Sequence, residues 1–213
     1  MRCFTRVGLR NSLKGGNEMR RFLLVLCLCC FSSTALAQTV AFFQVETATP
    51  NVHDKMNINA GATTKLNDEF SLRFFTLMNS GWAQAYVGPV YQPVDWLKLG
   101  VGAGGRQTKE EIDLQTGYLL WLGYRRFSFN GAVEVGRLAF AGDKTQVWYD
   151  LTARVNVLPW LTLGVKDRRP AGIGPLIEFN VWKVTVWSAW TPVDSEKAEV
   201  EWARFLVGAK VVL

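Results

Sequence analysis

Histidine and cysteine are scarce in this 213-residue chain, which has one histidine and four cysteines. His53 stands beside Asp54 in a polar segment, and a lone histidine excludes a metal site built from several imidazoles. The cysteines end at Cys30, so the rest of the chain cannot form disulfides and must be stabilised by hydrogen bonds and packing. Outside the first 37 residues, no uninterrupted apolar segment reaches the roughly 20 residues of a transmembrane helix.

The beginning of the chain has the three parts of a secretory signal peptide. Arg20 and Arg21 form a basic segment, residues 22–31 form an apolar segment of ten residues, and Ala35-Leu36-Ala37 is a small-x-small cleavage site. We therefore expect residues 1–37 to be a prepiece that is removed after Ala37. Residues 38–213 are then a single domain.

The basic character of the whole sequence belongs mostly to that prepiece. The chain has 24 Lys and Arg against 18 Asp and Glu, but six basic residues and one acidic residue lie in residues 1–37. Cleavage leaves 176 residues with a net charge of +1 instead of +6, which gives no indication of nucleic-acid binding. Met19 is the expected true start, because codons for Lys14-Gly15-Gly16 can contain a ribosome-binding sequence.

Most of residues 38–213 alternate between apolar and polar side chains with the period of two that is typical of β-strands. The pattern is clearest in residues 96–106, 146–157 and 160–168 and at the carboxyl end. If residues 39–66 are irregular, the predicted number of strands is ten. The full prediction is twelve strands: 39–47, 56–66, 69–78, 82–92, 96–106, 114–125, 127–138, 146–157, 160–168, 174–181, 183–190 and 199–212.

Three features favour a closed antiparallel transmembrane β-barrel over a soluble sandwich, whose strands also alternate. Tight turns such as Leu66-Asn67-Asp68 and Pro93-Val94-Asp95 alternate with mostly longer polar segments, as the two kinds of loop do in outer-membrane barrels. The last predicted strand runs to the end of the chain with apolar residues at alternate positions. Aromatic residues flank the tight turns, where they would form a girdle at one membrane interface: Tyr91, Trp96, Tyr124, Phe127, Trp160 and Trp182.

Two turn-to-strand segments give the sequence a family resemblance. Pro93-Val94-Asp95-Trp96-Leu97-Lys98-Leu99-Gly100-Val101 and Pro159-Trp160-Leu161-Thr162-Leu163-Gly164-Val165 look like pieces common in small bacterial outer-membrane β-barrels. The resemblance covers all of residues 38–213 and contains no motif of one particular family. Twelve strands in so short a chain is similar to the narrow monomeric porins that pass acidic oligosaccharides or nucleosides. It implies a monomer in the lipid bilayer of a bacterial outer membrane.

The alternation also predicts which charged side chains face the lumen. The set has eleven basic and five acidic members: Lys65, Arg73, Lys98, Arg106, Arg125, Arg154, Lys166, Arg168, Lys183, Arg204 and Lys210, with Glu46, Glu69, Glu134, Asp150 and Glu178. A low-dielectric wall strengthens the field of such a set, so we predict a narrow passive channel for small polar or anionic solutes. Selectivity is assigned to Arg73, Lys98, Arg106, Arg125, Arg154, Lys166, Glu134 and Asp150.

Two alternatives to the channel remain open. In the first, the same charges pair across strands and plug a structural or adhesion barrel whose external loops bind a partner. In the second, the chain is a soluble periplasmic β-sandwich or barrel-shaped carrier. At the predicted outer rim, Arg168-Arg169 and Lys144 are either solvated loop charges or contacts for lipopolysaccharide phosphates.

The sequence gives no candidate catalytic, cofactor-binding or metal-binding residue. The glycine-rich segment 100–105 matches a dinucleotide-binding pattern, but no helix is predicted after it. Its glycines are better explained as positions that leave space in the lumen. Glu110-Glu111 is a charge cluster in a loop, and His53 lacks the Ser two positions later that a barrel lipase resembling phospholipase requires. We therefore predict that the protein is not an enzyme and binds no cofactor.

Overall fold

The computed structural model describes residues 39–49, 56–108, 111–136, 146–194, 200, 202 and 204–213. The predicted signal segment lies outside these residues, as do His53, Glu110 and Lys144. Within the described residues, no helix is long and apolar enough to cross a membrane.

Residues 39–213 form a single unit of twelve β-strands. Strand bounds agree with the sequence prediction to within two residues everywhere except at the start of the last strand. The strands are β1 (Thr39–Thr49), β2 (Asn57–Lys65), β3 (Phe70–Met78), β4 (Ala83–Val94), β5 (Leu97–Gln107), β6 (Ile112–Tyr124), β7 (Phe127–Gly136), β8 (Gln146–Leu158), β9 (Leu161–Arg168), β10 (Gly172–Val181), β11 (Val184–Trp190) and β12 (Phe205–Val212).

The strands close into an antiparallel barrel in which each one pairs with its neighbours in sequence. The first and last strands pair and so close the barrel. Their register runs from Phe42 opposite Val212 to Thr49 opposite Phe205. The prediction of a closed twelve-strand barrel is confirmed, and a two-layer sandwich is excluded. Because the strand number is even, both ends of the barrel chain lie at the end of the short turns.

Asparagine side chains hold two of the tight turns. The Asn67 Oδ1 atom accepts hydrogen bonds from the backbone N–H groups of Glu69 and Phe70, at 3.0 and 2.7 Å. Asn79 Oδ1 does the same at the opposite end of β3, for Gly81 at 2.8 Å and Trp82 at 3.1 Å. Such local bonds favour a turn over continued strand, which is why the chain reverses at these points.

The two faces of the barrel wall have opposite polarity. Large hydrophobic side chains on the outer face are well exposed on every side of the barrel, for example Val87, Tyr118, Val165 and Val207. Among the described residues, twelve polar or charged residues are buried against nine hydrophobic ones, and most of the polar set faces the lumen. A water-soluble barrel has the reverse arrangement, with its apolar residues inside.

The predicted start of the last strand at residue 199 is wrong, because β12 begins at Phe205. Before it, described residues pair through isolated bridges instead. Val193 bridges to Ile173 and to Val200, and the Ile173 N–H group donates to the Val193 carbonyl at 2.8 Å. Val200 thus lies outside the ladders of β12, which begin at Phe205.

Candidate functional site: the lumen

The lumen contains a cavity of about 480 Å³ whose wall is contributed by all twelve strands. Its lining includes five basic residues and three acidic ones: Arg73, Arg154, Lys166, Arg168 and Lys210, with Glu134, Asp150 and Glu178. Each strand contributes alternate side chains to this wall, so the set follows directly from the period of two. The structure places all eight of these predicted lumenal residues on the cavity wall.

A buried ion-pair network occupies the half of the lumen nearer the long loops. Lys166 Nζ donates to the Asp150 carboxylate on the adjacent strand β8. The guanidinium of Arg168 lies 3.6 Å from the same carboxylate and 2.5 Å from the carboxylate of Glu46 on β1. The guanidinium of Arg168 and the carboxylate of Glu46 are close enough for an ion pair, but their geometry does not make a hydrogen bond. Because β1 and β9 are not neighbours, this contact bridges the interior.

A second ion pair lies nearer the short turns. Arg154 Nε on β8 donates to both carboxylate oxygens of Glu178 on β10, at 2.9 and 3.0 Å. These two strands are separated by β9, whose inward residue at this level is Gly164. The missing side chain at Gly164 leaves the path between the two charged groups open.

The opposite wall carries hydrogen bonds between neutral and charged side chains. Gln84 Nε2 on β4 donates to both carboxylate oxygens of Glu134 on β7, each at 2.9 Å. Tyr86 Oη donates to Gln115 Oε1 at 2.5 Å, from β4 to β6. Both contacts skip at least one strand, so they also extend across the interior.

The remaining residues assigned to selectivity are placed differently. Lys98 and Arg106 lie toward opposite ends of the barrel, with their cationic groups 5.2 Å from the Trp121 ring and 4.9 Å from the Trp82 ring. The lumenal assignment of Arg125 is wrong. It lies exposed in the β6–β7 turn with φ of 54°, and its guanidinium is 5.2 Å from the ring of Tyr124.

Other charged residues from the predicted set also lie away from the cavity. Lys65 is exposed and pairs with Asp68 at 2.7 Å, and Lys183 lies in the β10–β11 turn with its amine 5.5 Å from the Trp182 ring. Glu69 belongs to the β2–β3 turn. Arg204 lies beside the long β11–β12 connection, 3.3 Å from Asp194. These residues lie at a strand end or in a connection, where side chains no longer alternate between two faces.

The predicted placement of Arg168 at the outer rim is wrong as well, because this residue is buried among the lumenal charges. Its neighbour Arg169 lies outside the strand and donates a side-chain hydrogen bond to the Val147 carbonyl. Lys144 lies outside the described residues.

The aromatic residues predicted to form a girdle all lie exposed at the end of the short turns: Tyr91, Trp96, Tyr124, Phe127, Trp160 and Trp182. Two further rings join them. Phe70 stacks on Tyr91 at 4.9 Å between centroids, and Phe179 stacks on Trp160 at 6.3 Å. The sequence signal for Phe70 and Phe179 was their position next to a turn on the outward face.

Sequence reasoning missed the lumenal aromatics, because it assigned apolar side chains to the outer face. Phe42, Phe75, Tyr86 and Trp187 all line the cavity. The only sequence signal for them is that each stands an even number of positions from an inward polar residue on the same strand. The cavity wall therefore combines cationic, carboxylate and aromatic side chains.

In the described part of the chain, no group of three or more His, Cys, Asp or Glu is placed to hold a metal ion. The glycine-rich segment 100–105 is part of strand β5 and lies in the barrel wall. It is therefore not the strand-to-helix loop of a dinucleotide-binding motif. No known protein family matches the chain, and no curated protein matches it either.

Proposed function

We propose that residues 39–213 span a bacterial outer membrane as a monomer and form a narrow passive channel for small polar or anionic solutes. The observation that carries the membrane placement is the inverted polarity of the wall. Large side chains such as Leu99, Leu163 and Phe179 are more than two-fifths exposed on its outer face. In water, an apolar surface of this extent is an aggregation liability, whereas in a bilayer it is solvated by lipid.

The exposed aromatics support the same placement. They lie at one end of the barrel, which is the position of the interfacial girdle in outer-membrane barrels. Rings such as Trp182, 91% exposed, combine an apolar body with a polar edge and are stable at the boundary between lipid and water. A soluble carrier has no need of such a ring, so this alternative is disfavoured.

The anion preference is supported by the charges around the cavity. Five basic and three acidic residues line it, and field lines are concentrated by a wall that faces lipid. The acidic residues of the wall do not fully neutralise its basic residues, so a passing anion meets an excess of positive charge. Passage through the region of Glu46 and Arg168 requires small solutes, because that ion pair bridges the interior.

A closed structural barrel is the second candidate, and the bridging contacts favour it. Glu46 with Arg168 and Gln84 with Glu134 both reach across the lumen rather than along its wall. If these contacts never open, the barrel is a scaffold that presents its external loops to a partner. The two functions differ in one measurable property, which is ion conductance.

Conductance of the purified protein in planar bilayers tests the proposal. We expect discrete single-channel steps and a reversal potential that indicates anion preference. The double variant R73Q/K210Q should reduce that preference, whereas K183Q, which removes a charge outside the cavity, should leave it unchanged. Absence of steps from protein shown to be inserted would overturn the channel and favour the closed barrel. Release of the protein from cells without detergent would overturn the membrane placement.

A further inference from the structure

One side of the lumen carries a continuous row of two cations and two aromatic rings. Lys210 Nζ on β12 lies 5.1 Å from the ring centroid of Phe42 on β1. The Phe42 ring lies 6.4 Å from that of Phe75 on β3, and the guanidinium of Arg73 lies 5.8 Å from the Phe75 ring. We call these four residues the lumenal row. All four line the cavity.

The row exists because strand β2 contributes no side chain between its two rings. Gly61 is the register partner of both Phe42 and Phe75. A Cβ atom at Gly61 would lie 2.6 Å from Phe42 Cε1, which is inside van der Waals contact. The two rings therefore meet over the glycine and form one apolar surface between the two cations.

The cations of the lumenal row lack the counterions that other lumenal cations have. Lys166 pairs with Asp150, Arg168 with Glu46 and Arg154 with Glu178. Among the described residues, neither Arg73 nor Lys210 forms an ion pair with a carboxylate.

A third group in the same wall lacks a partner. Asn59 on β2 is 6% exposed and lines the cavity, and its Oδ1 atom accepts no hydrogen bond. It precedes Gly61 by two residues on the inward face of β2 and lies in register with Gln44. A buried amide oxygen without a donor is costly, so a ligand that donates a hydrogen bond here is favoured.

We propose that the lumenal row and Asn59 form a binding site for a small hydroxylated aromatic carboxylate, which deepens the proposed channel function by naming a solute class. The carboxylate pairs with Arg73 at one end of the row, the ring packs against Phe42 and Phe75, and the hydroxyl donates to Asn59 on the other side of the rings, while the charge of Lys210 adds attraction for the anion. The cavity of about 480 Å³ is within the usual range for small-molecule sites, which is roughly 300–1,000 Å³. An inorganic anion would leave the aromatic surface in contact with water.

Equilibrium binding to the full-length protein in detergent micelles tests the site without requiring transport. The probe is 4-hydroxybenzoate, measured by titration calorimetry. Three comparison compounds remove these features: benzoate lacks the donor, 4-hydroxybenzyl alcohol lacks the charge, and acetate keeps only the carboxylate. We expect one site per chain and the tightest binding for 4-hydroxybenzoate.

Substitutions test which residue makes each contact with the probe. R73Q/K210Q should weaken 4-hydroxybenzoate binding at least tenfold, since hydrogen bonds to charged groups contribute about 1.5–3 kcal/mol each and 1.4 kcal/mol is tenfold. N59A should abolish the advantage of 4-hydroxybenzoate over benzoate, and the control K183Q should bind as the unchanged protein does. F42L, which keeps an apolar side chain and both cations, should weaken 4-hydroxybenzoate more than acetate.

The outcomes separate this site from the channel. Equal affinity for acetate and 4-hydroxybenzoate, or binding that survives R73Q/K210Q in folded protein, would overturn the site. No binding of any probe, together with intact conductance, would overturn the site and leave the channel standing. Specific binding without conductance would support the site and overturn passive transport.

Discussion

The guanidinium of Arg168 on β9 lies 2.5 Å from the carboxylate of Glu46 on β1, although three strands separate β1 from β9 around the barrel wall. Both side chains are buried, so this ion pair is a contact across the interior and not along the sheet. It joins opposite parts of the wall by electrostatic attraction in a region that excludes most water.

Removal of one partner from this pair should destabilise the barrel strongly. We expect E46Q to lower the free energy of unfolding by about 3–5 kcal/mol, because it removes the nearer counterion of the buried Arg168 charge and leaves only the Asp150 carboxylate, at 3.6 Å. The double variant E46L/R168M should recover most of the loss. Urea titration in detergent micelles measures both. E69Q, a carboxylate change in an exposed turn, serves as the control, and an E46Q midpoint equal to that of E69Q would contradict the prediction.

A side chain at Gly61 should disturb the lumenal row. We expect G61A to lower stability by about 1–3 kcal/mol, the usual cost of overpacking, because the new Cβ would lie 2.6 Å from Phe42 Cε1. F42L in the same chain should relieve part of this cost. The matched control is G105A, whose Cβ would have the Asp113 carbonyl oxygen at 3.4 Å as its nearest neighbour. Equal unfolding midpoints for G61A and G105A would contradict the packing described for Gly61.

The depth of an outward residue should decide how well it tolerates charge. Val165 lies near the middle of β9 and Val181 at the end of β10, both on the outer face. In lipid vesicles, V165R should cost about 2–4 kcal/mol of folding free energy, and V181R about 0–1 kcal/mol, since an interfacial arginine remains hydrated. The two variants carry the same substitution and control for each other. Equal costs would speak against a bilayer around the barrel.

Loss of the Tyr86 hydroxyl should cost more than loss of an outward hydroxyl. Tyr86 Oη donates to Gln115 Oε1 at 2.5 Å in the buried lumen. Y86F leaves that oxygen without this donor, so we expect about 1–3 kcal/mol of destabilisation. Y118F changes a half-exposed tyrosine on the outer face and should change stability little. Thermal unfolding followed by near-ultraviolet circular dichroism distinguishes the two variants, and identical melting temperatures would refute the importance of the bond.

The strands were predictable because two independent signals coincide along the chain. Alternation defines each strand, and turn residues such as Asn67 and Asn79 define where it ends. The signal fails before residue 205, where the sequence alternates but Val200 bridges to Val193 instead of continuing the ladders of β12. Tertiary contact overrides the local pattern at that point.

The lumenal residues were predictable as a set but not as pairs. Parity along β8 and β9 places Asp150 and Lys166 inward, and their pairing follows from adjacency. The contact between Glu46 and Arg168 depends on how far two side chains reach across a closed barrel, which no strand pattern encodes. Phe75 was missed for another reason: β3 is apolar on both faces, so its alternation is weak.

The seam between β1 and β12 has a consequence for biogenesis. Its register partners, such as Phe42 and Val212, lie at opposite ends of the barrel chain, so the final ladder cannot form until the whole domain has been synthesised. Until then, both terminal strands present unpaired backbone groups and an apolar outer face. Edges of this kind recruit other strands, and contacts of such large sequence separation form slowly. Until the barrel closes, the chain is therefore prone to pair with other strands.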